Sequence, residues 1–519
     1  MDSFNSAESA LEWAIGSIHT GVGIFLLTVA VMPADAQTLP FQSTERPQYG
    51  LSRGGAELPR GGFLEPRVES ALYYADNLTL DETPANQVNT AGLELAPGIY
   101  ASYSGDDFTG AVDYSLIGRV WEESDYDDVS HRLSANGRWS AVRDLLYVDG
   151  DARYFDTVVA PSAGVDYGSI GIFGRDQIAE TATASIAPAL RKRFGDLEVF
   201  ARYSYGRVWY LDTPDDVPAG GNLGTDDSTD QAARFSLGTA DADRALTGRI
   251  YYEWDQSEFQ ESPTFKQERF GFEGGWRVTQ SVTIVGDVGR ESQLDESISE
   301  GGLDDDFWHG GLRWDPDERT SAEVRYGQRF FGDSYLLRFK RQARILTFVA
   351  SYTEEPTVDN VRLSAGDFQP GVLPPQSLGP TSGFITTNPY VAKDAVATVT
   401  AEGGKTKLSA SVFQAKRDYL LGPLADETGL GGSLSATRRI AANLSGDFEA
   451  YYQDYERGSV LGSPPVEYLV SDYNTYALLR LNRSLGVKVT TSLESGYFNS
   501  AGAYSYDGWW VALRIRYVP

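Results

Sequence analysis

Hydrophobic and polar positions alternate along most of this chain. Leu246, Gly248, Ile250, Tyr252 and Trp254 fall on one side of an extended segment, and Thr247, Arg249, Tyr251 and Glu253 on the other. Leu146, Val148, Gly150, Ala152 and Tyr154 likewise oppose Asp149, Asp151 and Arg153. Ala322, Val324 and Tyr326 oppose Glu323, Arg325 and Gly327, and Val487, Val489, Thr491 and Leu493 oppose Lys488, Thr490, Ser492 and Glu494. A period of two predicts β-strands, because successive side chains of an extended chain point to opposite faces. Each alternating stretch lasts about 10–14 residues, the length a tilted strand needs to cross a bilayer.

The connections have a rhythm of their own. Tight polar turns are predicted at Gly105-Asp106-Asp107, Val142-Arg143-Asp144, Phe194-Gly195-Asp196, Asp241-Ala242-Asp243 and Val278-Thr279-Gln280. Others follow at Asp315-Pro316-Asp317, Arg341-Gln342-Ala343, Gly403-Gly404, Arg438-Arg439 and Arg483-Ser484. Between them stand longer, mostly acidic stretches at 122–128 and 291–306, and near 157–177, 211–230, 355–391 and 456–469. Antiparallel membrane barrels sort their connections in this way, with tight turns at one end and long loops at the other. A soluble sandwich or propeller has no reason to sort loop length by parity. The expected fold is therefore all-β: a single transmembrane antiparallel up-and-down β-barrel of about 22 strands, with short periplasmic turns and long extracellular loops. The hairpin at Arg329-Phe330-Phe331-Gly332-Asp333 is the main ambiguity in that count.

The ends read differently. Residues 21–32, GVGIFLLTVAVM, form an apolar run too short for a membrane-spanning helix. With Ala34-Asp35-Ala36 behind it, the run marks residues 1–36 as a signal peptide cleaved between Ala36 and Gln37. Its n-region departs from the usual pattern, carrying Asp2, Glu8 and Glu12 and no Lys or Arg. Residues 37–65 are rich in Pro and Gly and are read as an extended periplasmic arm, with the barrel over 66–519. That arm is too short for the plug domain of an energised receptor. In the last stretch Trp509, Val511, Leu513, Ile515 and Tyr517 oppose Trp510, Ala512, Arg514 and Arg516. An amphipathic terminal strand with a late aromatic is similar to the signal read by the barrel assembly machinery, although Val518 and Pro519 follow Tyr517.

Composition narrows the chemistry. The formal net charge is −29, which disfavours a nucleic-acid partner. There is no Cys, so thiolate metal sites, disulfides and Cys nucleophiles are excluded. Mean hydropathy is −0.32, yet there are 30 Tyr, 24 Phe and 10 Trp; a barrel with one polar and one apolar face reconciles the two. The alternation assigns Arg119, Arg132, Arg138, Arg153, Arg202, Arg249, Arg313, Arg325, Arg338, Arg514 and Arg516 to the lumen. The carboxylates Asp113, Asp149, Asp151, Glu253, Asp287, Glu323, Asp447 and Glu449 join them there. Such a lining serves equally as paired filling or as a conduit for a hydrophilic solute. Catalysis needs a base beside a nucleophile. Of the mature chain's two histidines, His131 falls on the apolar face and His309 on the lumenal one, and no serine motif accompanies either. The stretch Leu303-Asp304-Asp305-Asp306 lacks the spacing and Gly of an EF-hand. No cofactor, metal or enzymatic activity is expected.

Short motifs along the mature chain resemble a known family. They are Pro66-Arg67-Val68-Glu69, Tyr74-Ala75-Asp76-Asn77-Leu78, Leu95-Ala96-Pro97-Gly98-Ile99, and Ile186-Ala187-Pro188-Ala189-Leu190 before Arg193-Phe194-Gly195. Gly327-Gln328-Arg329-Phe330-Phe331-Gly332 and Ala350-Ser351-Tyr352-Thr353-Glu354-Glu355 continue the series. On these the chain resembles the outer-membrane β-barrels associated with PEP-CTERM/exosortase and exopolysaccharide gene clusters. The resemblance implies a porin-like barrel in the outer membrane, in contact with lipid and lipopolysaccharide and linked to polysaccharide-export or exosortase components. It carries over no catalytic site. The alternatives are a non-conducting structural or assembly barrel and, behind it, a hydrolase in the barrel wall. The stretch 355–391, long, rich in Pro and Gly and sparing in charge, is the expected constriction.

Overall fold

The computed structural model describes residues 61–79, 85–158, 178–212, 225–240, 244–293, 304–365, 386–420, 426–461, 466–502 and 505–519. The leader with Ala36 and Gln37, the arm up to residue 60 and the turn at 241–243 lie outside them.

The alternating stretches form 22 strands in one sheet. The first eight are β1 (Gly61–Ala75), β2 (Thr90–Ser104), β3 (Phe108–Trp121), β4 (Asp128–Val142), β5 (Leu146–Val158), β6 (Ile178–Phe194), β7 (Leu197–Asp212) and β8 (Ser228–Thr239). Then come β9 (Leu246–Phe259), β10 (Phe265–Arg277), β11 (Val282–Gln293), β12 (Asp305–Asp317), β13 (Thr320–Arg329), β14 (Gly332–Gln342) and β15 (Leu346–Thr357). The last seven are β16 (Tyr390–Gly403), β17 (Thr406–Tyr419), β18 (Glu427–Ala441), β19 (Leu444–Leu461), β20 (Val466–Ser484), β21 (Val489–Ala501) and β22 (Tyr506–Tyr517). Each strand pairs antiparallel with the next, and β22 pairs with β1. Closure leaves no sheet edge, as a structure in lipid requires. The closing seam is short: eight residue pairs, Val68–Ala75 against Tyr517–Trp510, where β1 and β2 share fifteen.

The pleat sorts each strand's side chains between two environments. Val68, Leu72, Leu95, Val112, Ile250, Val288, Val324, Leu434 and Leu513 stand exposed on the outside. Outer aromatics gather at both rims. Tyr103 pairs with Phe108 and Phe339 with Phe348 at the tight-turn end, and Tyr74 with Trp509 and Trp308 with Tyr326 at the other. An apolar band between aromatic girdles is the surface that lipid covers. This is the architecture of bacterial outer-membrane β-barrels, and that membrane is where the belt is accommodated.

The inner face is packed instead. Phe413, Tyr451, Tyr476, Phe498, Trp510, Tyr73 and Trp121 form a buried band running along the inner wall from β17 through the seam to β3. Glycine makes room for it. Trp510 lies flat against Gly496 and Trp121 against Gly92, where a Cβ would collide with the indole.

Several boundaries differ from expectation. β1 begins at Gly61, so residues 61–65 belong to the barrel and not to the arm. Asp315-Pro316-Asp317 lies inside β12 beside a bulge, and the turn is formed by Glu318 and Arg319. Arg438-Arg439 likewise lies inside β18, and the chain reverses at Ala442 and Asn443. Bulges let Pro and charged residues stay within a strand where they mimic a turn. β13 and β14 are distinct strands joined on the long-loop side by Phe330 and Phe331 alone.

Candidate functional site

The lumenal residues named above lie on the face opposite the apolar belt, and most of them meet a partner there. Asp149 accepts from Arg138 at 2.7 Å and from Arg202 at 2.7 Å, linking β4, β5 and β7. Arg153 pairs with Asp151 on its own strand at 3.0 Å. Farther round, Glu253 accepts from Arg269 at 2.6 Å and Glu273 from Arg249 at 2.8 Å. Arg325 bridges Glu273 at 2.7 Å and Glu323 at 2.5 Å, and Glu323 also holds Arg313 at 2.8 Å. His309 Nδ1 meets Asp287 at 3.0 Å, and Tyr251 donates to the same carboxylate at 3.2 Å. Glu94 accepts from Arg119 on the next strand at 3.1 Å and, across the seam, from Arg514 at 2.9 Å, and Glu65 accepts across it from Arg516 at 3.0 Å. Arg338 sits opposite Glu323 and Ser351 in register and stays exposed. Glu449 faces Ser435 and Leu478. Paired charges in adjacent strands offset their own desolvation and stiffen the wall.

The external mouth holds a feature that periodicity does not signal. After β15 the chain turns inward and forms a short helix, α1 (Asp359–Ala365). Its side chains touch inner-face residues of strands on both sides of it. Leu363 is buried against Val208, Phe155 and Tyr210, and Val358 against Phe265 and Phe259. Asn360 accepts from the Tyr210 hydroxyl at 3.1 Å and donates to Ser228 Oγ at 2.9 Å and the Asp226 carbonyl at 2.9 Å. On the β16–β17 side, Arg362 reaches Asp394 at 3.3 Å. Burial works to lower the Arg362 guanidinium, but the Asp394 carboxylate and the Tyr390 hydroxyl outweigh it and hold the group above its ordinary range.

Asp359 is the anchor. Its side chain is 0% exposed and that of Arg417 1%. The carboxylate accepts from Arg417 Nη2 at 3.1 Å and Nη1 at 3.3 Å, from the Tyr390 hydroxyl at 2.6 Å and from the Thr386 amide at 2.8 Å. Arg417 stacks over Tyr390 at 4.7 Å and lies 3.7 Å from Glu427. Four donors satisfy both oxygens, as a buried carboxylate requires. The segment that begins and ends the expected constriction, 355–391, is thus fixed inside the mouth at both described ends. Residues 366–385 of it lie outside the described residues.

Nearer the tight turns, the inner wall from β20 through the seam to β4 opens into a cavity of about 540 Å³. Arg67, Arg119, Arg132, Arg480, Arg514 and Arg516 line it, with Glu69, Glu94, Asp113 and Glu494. Sequence reasoning picked out four of these arginines. It left Arg67 and Arg480 aside because each lies in a stretch whose alternation is broken or brief.

The two histidines of the barrel meet different neighbours. His131, on the outside, contacts Tyr114 at 2.9 Å and packs on Tyr154. The partners of His309 are Asp287 and the Phe307 ring. Among the described residues no group of three or more His, Asp or Glu side chains is arranged to hold a metal ion.

No family model and no curated protein matches the sequence. Solved structures do match the fold. The siderophore receptor PirA from Acinetobacter baumannii is 9% identical, with 89% of this chain and 81% of that one covered and a TM-score of 0.47. The FrpB iron transporter from Neisseria meningitidis (F3-3 variant) is 11% identical over 88% and 81%, with a TM-score of 0.38. OmpT, an outer membrane protein of Vibrio cholerae, is 10% identical over 88% and 97%, with a TM-score of 0.29.

Proposed function

We propose that this chain is a porin-like channel for hydrophilic solutes, narrowed at its external mouth by the infolded segment around α1. The observation that carries the reading is the pinning of that segment to inner-face residues on both sides, Tyr210 and Ser228 on one and Arg417 on the other. A barrel of this strand number has room for a water-filled lumen, and exposed inner-face groups such as Arg138 and Arg338 face that water. The test is single-channel conductance of the refolded protein in planar bilayers, with and without residues 358–388. Discrete openings that grow on deletion support the reading. Silence in both, with heat-modifiable gel migration proving the fold, refutes it.

One observation favours a second reading, a non-conducting structural barrel: the inner aromatic band is almost fully buried, Trp510 at 0%. The same bilayer experiment separates the two. The link to exopolysaccharide or exosortase components rests on the sequence resemblance. Deleting the gene and measuring surface polysaccharide tests it, and unchanged polysaccharide removes it.

A further inference from the structure

The cavity at the seam gathers arginines on one stretch of the inner wall. Six arginines line it against four carboxylates, in a chain whose net charge is −29. Depth matters more than the count. Glu94 and Glu494 are each 3% exposed at the side chain, whereas Arg516 is 34% and Arg480 27% exposed. The deep carboxylates are already satisfied, Glu94 by Arg119 and Arg514 and Glu494 by Arg480 and Ser492. Glu69 and Asp113 are shallower, but both lie against Arg67. Every carboxylate is thus engaged, and Arg480 and Arg516, bonded to Glu494 and Glu65, are more exposed than Arg67, Arg119 and Arg514 and keep further N–H donors for a second acceptor.

Around these guanidinium groups stand neutral hydrogen-bonding side chains, among them Ser115, Ser134, Asn482 and Thr490. A planar guanidinium takes a carboxylate in a fork of two hydrogen bonds. Hydroxyl and amide groups beside it match the hydroxyls of a sugar ring. The volume, about 540 Å³, falls within the range of roughly 300–1,000 Å³ usual for small-molecule sites.

We infer that this cavity is a binding subsite for sugar acids, polyhydroxylated carboxylates held by Arg480 and Arg516. The inference deepens the channel reading and rests on it, because a subsite in the lumen selects solutes only if solutes pass.

The test is calorimetric titration of the detergent-folded barrel with trigalacturonate, with neutral maltotriose as control. Saturable binding of the acid alone is expected. In the double variant Arg480→Gln, Arg516→Gln its affinity falls about tenfold or more, the size expected for losing charge-assisted hydrogen bonds. Arg338→Gln, in the lumen but outside the cavity, leaves it unchanged. If the double variant does not fold by heat-modifiable migration, Arg132→Gln serves in its place and weakens binding less. Absence of binding to the wild type, or equal affinity in folded variants, overturns the inference. Conductance without binding removes the subsite and leaves the channel. Binding without conductance keeps the subsite and removes the channel.

Discussion

Replacing Asp359 by Ala tests what holds the mouth narrow. The substitution removes an acceptor that serves Arg417 twice, Tyr390 and the Thr386 amide. Arg417 then stays buried beside Glu427, a carboxylate at 3.7 Å. Breaking one side of a buried ion pair costs about 3–5 kcal/mol. The remaining carboxylate argues for the lower end, so the ratio of released to pinned segment rises by roughly 150-fold at about 3 kcal/mol. The barrel has its own ladders and stays folded. In planar bilayers the variant is expected to spend more time at a higher conductance level than the wild type. Asp359→Leu combined with Arg417→Leu removes both charges and restores much of the pinned population, because no unpaired guanidinium is left behind. Equal conductance and open time in wild type and Asp359→Ala, with both folded, would refute the reasoning: α1 would not be what narrows the lumen.

Three further outcomes follow from the packing. Cysteines introduced as Ser228→Cys and Asn360→Cys, in a chain with no other thiol, should cross-link through a short bis-methanethiosulfonate and hold conductance at its lower level until a reductant is added; unaltered openings would place the segment elsewhere. Gly496→Val puts a side chain into the space of the Trp510 indole and should cost about 1–3 kcal/mol, read as a lower temperature for loss of the compact gel band, whereas Gly310→Ala, which meets nothing within 4 Å, should leave it unchanged. Val324→Arg sets a charge on the exposed belt midway along β13 and should cost about 2–4 kcal/mol in a bilayer, measured by urea titration in lipid vesicles; an equally large loss in detergent alone would point to packing instead of lipid.

Much of the fold is legible in the sequence because lipid and lumen act on every strand alike. Nothing interrupts the period of two between Leu246 and Trp254, so the faces follow directly from the spelling. Partner choice is less visible. Arg325 meets Glu273 three strands away, and that depends on register and tilt, which no single strand encodes. Turns are misread where a bulge tolerates Pro316 or Arg439 within a strand, since the same residues favour true reversals. The helix at the mouth is hidden for another reason. Seven residues, Asp-Asn-Val-Arg-Leu-Ser-Ala, span about two turns, too few to show a period, and short helices owe their stability to what they pack on. Asp359 and Arg417 are 58 positions apart. Each reads as an ordinary charged residue until the barrel closes.

The seam has a consequence for the life of the chain before it is finished. Every other strand finds its partner next to it in sequence, so hairpins can add one after another as they arrive. β1 alone waits for a partner at the opposite terminus. Until Trp510–Tyr517 reaches Val68–Ala75, the nascent sheet carries two bare edges, each able to pair with a stranger. Eight pairs close those two edges, and the wall's shortest ladder lies elsewhere, in the six pairs between β14 and β15.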